Sequence, residues 1–222
     1  MQSEKMPMTS PAGTAIGGRT RRVQERAEAT KSKLIDAGRV MFSERGFDAV
    51  SLRDIENAAK VKRGLLAYHF GDKEAFWKSV VATIFVGMHD EFEQRLGLLR
   101  EVSESEHLAF IVRFYVGFHA RHPELSRLMS QEATRDTWRI QHLIEQYIAP
   151  ACEKMQKLVG DSLQLDRDGF IHWYYIMVSA SSTIFSFAPE CRRLFNIDPC
   201  EEARVDRHAD MLVKMLLRLE RD

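Results

Sequence analysis

An all-α fold is predicted for this chain by three features of its sequence. From Ala27 onward, apolar residues recur three and four apart in one segment after another, the spacing that lines one face of a helix. No stretch alternates apolar and polar residues over a strand's length, no hairpin dipeptide joins two such stretches, and no internal repeat recurs. Helix-capping residues, Ser51 and Asp72 among them, stand before the apolar runs. With 222 residues, 45% of them hydrophobic, the chain can bury a sizeable core in one large domain or two modest ones.

Residues 1–22 are rich in Pro, Gly, Ser and Thr and poor in large apolar groups, so they are expected to form a disordered N-terminal arm. Arg19, Arg21 and Arg22 at its end read as a solvated tail before they read as charge laid along DNA phosphates or in a minor groove. The first helix is expected over Ala27–Arg45, with Leu34, Ala37, Met41 and Phe42 on one stripe and Gly46 as a left-handed cap. A second helix follows Ser51 and turns Leu52, Ile55, Ala58 and Ala59 inward. After a break at Lys60-Val61-Lys62, a third runs from Arg63 to Phe70 and stops at Gly71-Asp72. Asp72 then caps a longer fourth helix with Phe76, Val80, Ile84, Met88 and Phe92 on one face, placed to join an N-terminal head to a C-terminal body.

Further helices are expected over Ser105–Arg121, Pro123–Gln131, Thr134–Val159, Asp166–Phe187 and Asp198–Arg221. Pro123 and Pro199 fall where a first helical turn tolerates proline, Gly160 and Ala188-Pro189 mark stops, and Pro150 either kinks a helix or divides two. The boundaries implied are an arm at 1–22, a head at 27–75 containing a helix-turn-helix at about 51–70, and a body at 76–222.

Formal net charge is zero, which excludes a simple polycation that coats nucleic acid, but the charge is unevenly placed. Residues 1–80 hold 15 Lys and Arg against 10 Asp and Glu, leaving 17 against 22 for residues 81–222. A basic head thus meets an acidic body. Three cysteines without C-x-x-C spacing indicate neither a disulfide framework nor a zinc ribbon. No apolar run is long enough for a signal sequence or a membrane span, so a soluble, cytoplasmic protein without membrane association is expected.

Residues 51–70 have the layout of two short helices at a fixed angle, the second presentable to a DNA major groove. Lys62, Arg63, Tyr68 and His69 are the polar groups left on its outer side, and Gly64 lets the backbone approach a duplex closely. Ser51, Arg53 and Leu65 are placed at the same DNA surface, and Lys73 at the next helix start is placed to meet a phosphate. The run KLIDAGRVMFSERGFDAVSLRDIENAAKVKRGLLAYHFGDKEAFW, residues 33–77, resembles the DNA-binding domain of the tetracycline-repressor (TetR) family. The likeness includes the Phe-x-x-Arg-Gly-Phe junction at Phe42–Phe47 and the Tyr-His-Phe-x-x-Lys-Glu ending at Tyr68–Glu74. It departs at Lys60, where the family usually has a turn glycine, and at Leu65 and Ala67, where it often has a threonine and a tyrosine that contact DNA. A lysine at the turn costs about 1 kcal/mol in an unfavourable backbone conformation.

The resemblance implies double-stranded operator DNA as partner, a homodimer closed by the last two long helices, and a C-terminal cavity for a small-molecule effector. The body's apolar stripes read either as plain core or as that cavity. Phe85, Met88, His89, Phe92, Phe114 and Phe118 are taken as its lining, together with Trp138, Tyr147, Trp173 and Met177. Tyr174, Tyr175 and Val178 on one helix, with Met211, Leu212, Met215 and Leu219 on the last, are taken as the dimer face. His119, His122 and Glu124 have ligand chemistry, but Pro123 interrupts their geometry and no metal site is expected. No cofactor motif and no set of nucleophile, base and orienter appears, so no catalysis is expected. The function implied is a ligand-responsive repressor. An activator of the same architecture and a ligand-binding bundle without DNA binding stay open.

Overall fold

In the computed structural model, residues 15–99 and 103–217 are described, and every regular element among them is helical. The head is built from α1 (Ala15–Arg45), α2 (Leu52–Ala58), α3 (Leu65–Phe70) and the start of α4 (Lys73–Leu96). Ser51 caps α2 in a reciprocal box with Asp54, and the Asp72 carboxylate accepts the Ala75 N–H at the start of α4. Leu34, Phe42, Ile55, Leu66, Phe76 and Trp77 are fully buried where these helices meet.

The body follows with α5 (Glu104–Arg121), α6 (Pro123–Glu132) and α7 (Trp138–Leu143). A π-helical turn, Ile144–Ile148, then runs into α8 (Ala149–Leu163), and α9 (Arg167–Ser186), α10 (Ala188–Phe195) and α11 (Glu202–Leu216) complete it. α5 packs against both α9 and α11, which also touch each other, and supplies Leu108, Ile111, Val112 and Val116 to a second core with Trp173, Phe185 and Leu212. α6 packs on α1, which brings the body against the head. No described helix is long and apolar enough to cross a membrane.

Several expected boundaries move. α1 starts at Ala15, so the part of the expected disordered arm over 15–22 is helical, while residues 1–14 lie outside the described residues. Once the anchored part around Leu34 has nucleated, adding turns is cheap, and Arg21 pairs with Glu25 at 2.9 Å one turn on. Gly160 does not stop α8, which runs on to Leu163 and ends where Gln164 turns left-handed. Ala188-Pro189 opens α10 rather than ending a helix, with proline in the first turn where its missing N–H costs nothing. Pro199 lies ahead of α11 instead of within its first turn. Pro150 follows the π-helical turn, in which the Ala149 N–H reaches back five residues to the Ile144 carbonyl. The helix absorbs its proline by widening one turn.

Candidate nucleic-acid interface and interior cavity

α2 and α3 are joined by a turn in which Lys60 adopts φ 55°, the left-handed conformation its sequence position demands. Gly64 follows at φ 87° with open space around the position of a side chain. α3 has no cap from its own preceding side chain. Glu56 supplies one from α2. Its Oε1 accepts the Gly64 N–H at 2.8 Å and the Leu66 N–H at 3.0 Å, and the residue is only 6% exposed. A single buried carboxylate therefore satisfies two N–H groups at the start of α3 and fixes its angle to α2.

Among the predicted DNA-side residues, Ser51, Arg53, Lys62, Arg63 and Gly64 are exposed, and Tyr68 is 80% exposed. Leu65 and His69 are half-buried, with His69 wedged between the rings of Tyr68 and Phe70. Lys73 is also half-buried. Its ammonium stands 4.3 Å from the centre of the Phe47 ring, and burial pushes its pKa below the usual lysine value. Glu56 went unread in the sequence because its partners are backbone groups on another helix.

Head and body meet at Phe47. Its ring packs edge-on against Trp77 and Trp138, and the Arg139 guanidinium lies 4.7 Å from its centre. Arg139 is buried and donates from Nε to the buried Glu132 carboxylate at 2.8 Å. Gln131 donates to the Ser43 carbonyl at 2.7 Å beneath Gly46, which has φ 78°. A Cβ at Gly46 would stand 2.5 Å from the Gln131 side-chain oxygen, which a flexible side chain can move aside, so the positive φ is what calls for glycine at this corner.

A cavity of about 310 Å³ opens between α4, α5, the π-helical turn and α8. Six of the predicted lining residues face it: Phe85, Met88, His89, Phe92, Phe114 and Tyr147. Four do not. Trp138 belongs to the junction around Phe47, Phe118 fills the head-side core, and Trp173 and Met177 fill the second core. Periodicity placed these large apolar residues inside without telling which interior they face. The cavity also takes in Tyr115, which helical spacing places on the inner face of α5, and adds Glu93 and Lys154, which went unread. Glu93 and Lys154 form an ion pair with each other across the rim. Tyr115 makes no side-chain hydrogen bond among the described residues, and burial raises its phenol pKa above the usual tyrosine value.

No group of three or more potential metal ligands clusters among the described residues. His119 is instead buried with Nδ1 3.0 Å from the Ser126 hydroxyl, and His122 lies 3.3 Å from Glu124. On the outer side of the body, Tyr175 is 67% exposed, with Ile171 and Ile176 on α9 and Met211 and Met215 on α11 also exposed. Tyr174 and Val178 are half-buried at the edge of this face. Leu212, expected there, is buried against the second core because α11 turns that side to α5, and Leu219 lies outside the described residues.

Residues 34–80 match the family described as bacterial regulatory proteins, tetR family, and residues 105–216 match the tetracyclin repressor-like C-terminal domain. The probable HTH-type transcriptional regulator YttP of Bacillus subtilis is 25% identical over 120 residues, 54% of this chain and 58% of that protein. IcaR of Staphylococcus epidermidis, a negative transcriptional regulator of a biofilm operon, is 24% identical over 161 residues, 65% of this chain and 82% of its own length. Among solved structures, the fatty acid degradation regulator FadR of Bacillus halodurans superposes with a TM-score of 0.65 at 17% identity, over 87% of this chain and 97% of that one. That likeness is one of fold.

Proposed function

This chain belongs to the tetR family of bacterial regulatory proteins, and from that premise we propose that it is a helix-turn-helix repressor released from a palindromic operator by a small, largely apolar effector. The family is one of transcriptional regulators rather than enzymes. Repression is supported by the relative named as a negative regulator. The head, residues 27–75, reads operator DNA, and the body, residues 76–222, binds the effector and dimerises.

The observation that carries this reading is that α4 serves both ends. It starts just beyond α3, across Gly71 and Asp72, and its middle supplies Phe85, Met88 and Phe92 to the cavity. An effector that rotates α4 at the cavity moves α3 at the DNA. To turn a 99:1 preference for the DNA-binding state into 1:99, the effector must favour the other state by about 5.5 kcal/mol. Lys62, Arg63 and Tyr68 make the principal contacts, with Ser51, Arg53 and the backbone at Gly64 beside them. Leu65 and His69 pack at the edge, and Lys73 reaches a phosphate from its seat on Phe47. The exposed α9 and α11 face pairs with its copy in a homodimer, which sets the two heads about 34–36 Å apart on successive major grooves.

Footprinting on the DNA flanking the coding sequence tests the reading. Protection of a palindrome, weakened by salt and by Lys62→Ala or Arg63→Ala in a dimer that stays folded, is the expected result. Unchanged binding in both variants overturns the residue assignment, and no saturable binding overturns the operator.

A further inference from the structure

The chemistry of the cavity wall says what kind of molecule it takes. Resting on the reading of this cavity as the effector site, we propose that the effector is an uncharged, ring-sized molecule with a hydrogen-bond acceptor, held by the Tyr115 hydroxyl between aromatic walls.

Size comes first. At about 310 Å³ the cavity is at the lower end of the range for small-molecule sites, roughly 300–1,000 Å³. It suits a one- or two-ring compound and is too small for a long acyl chain with a bulky carrier.

Shape follows from the rings. Phe85 and Tyr147 stack nearly parallel, 15° apart with centres at 5.0 Å, and present one flat flank. Phe92 and Phe114 meet edge-on at 5.0 Å and close another side. A flat, polarisable guest gains offset and edge-on contacts there that a flexible chain does not.

Charge is decided by the rim. Glu93 and Lys154 already neutralise each other, so the lining offers no net attraction to a guest of either sign. A carboxylate bound at Lys154 would meet Glu93 beside it, and an ammonium bound at Glu93 would meet Lys154. Deeper in, Tyr115 has a hydroxyl without a hydrogen-bond partner among the described residues. Burial keeps its phenol protonated at neutral pH, so it is a donor waiting for an acceptor.

Calorimetry on the full-length protein with four probes of one skeleton tests this: 1-tetralone, tetralin, tetralin-1-carboxylate and protonated 1-aminotetralin. The ketone is expected to bind tightest. Tyr115→Phe, which keeps the ring, should weaken ketone binding roughly fivefold, the worth of one net hydrogen bond, and leave tetralin unchanged. Tightest binding by the carboxylate or the ammonium, an equal loss for tetralone and tetralin, or no binding by any probe overturns the proposal. Release of the footprinted DNA is read separately. A ketone that binds without altering DNA affinity leaves the ligand class standing and removes the effector role, whereas release by a charged probe keeps the role and removes the class.

Discussion

One oxygen of Glu56 accepts two N–H groups at the start of α3, the helix proposed to face DNA. Glu56→Ala is expected to lower the melting temperature and weaken operator binding roughly tenfold, since buried hydrogen bonds to a charged group are worth about 1.5–3 kcal/mol. Glu56→Gln, which keeps an acceptor, should recover much of that loss. The salt dependence should stay the same, because no phosphate contact is removed. Anisotropy titrations across a salt series check both points. In the sequence this residue reads as one more polar position beside Ile55, because its burial depends on backbone groups that only the folded turn brings near. Lys60 is the opposite case: its left-handed conformation was legible from the glycine that the resembling family usually has at that turn. At His119, burial lowers the pKa from 6.5 to about 4, with a smaller push from His122. The unfolded chain therefore binds the extra proton first as pH falls. The stability contributed by a neutral His119 is complete above pH 6.5 and is lost on descending to about 4, by up to ~3 kcal/mol. Urea titrations at pH 7.5 and 5 should show that loss, and His119→Gln should reduce it.

The helices themselves were largely legible, because their caps and apolar spacing are local. Ser51, Asp72 and Gly46 mark boundaries in the sequence as they do in the structure. What escaped reading depends on neighbours. The π-helical turn needs Pro150 together with the packing of Tyr147 on Phe85, and α10 begins at a proline that also reads as a stop. The link between α7 and the head is similarly tertiary: Arg139 stands on Phe47 and pairs with Glu132 at the end of α6. Breaking this pair from one side leaves a buried charge alone, so Arg139→Met is expected to cost about 3–5 kcal/mol. Arg139→Met with Glu132→Leu should cost less than the single change, because both charges then leave together. Denaturant midpoints of the two variants decide the matter. A double variant weaker than the single one would show that the pair does more than neutralise itself.

At the scale of the whole molecule, α9 and α11 carry exposed apolar residues, with Tyr175, Ile176, Met211 and Met215 standing open to solvent. Tyr175→Asp with Met211→Asp is expected to shift the protein from dimer to monomer in sedimentation velocity. DNA affinity should fall with it, since one head holds only one half-site. The proposed dimer face could be named from the sequence only in part. Leu212 and Met211 are adjacent in one helix, and their opposite fates follow from which side of α11 rests on α5. The same limit applied to the cavity, where six of the ten expected residues fell on its wall and four went to other interiors. The core around Phe42 and Trp77 has a further consequence. It does not stop where the head does: Phe114, Leu125, Leu128 and Leu143 from the body belong to the same cluster. The two parts are separable on paper and inseparable in space, so the head is not a cassette that can be lifted out or grafted onto another body. A transplanted head would carry a raw apolar wound, unless its new host happened to supply the missing wall.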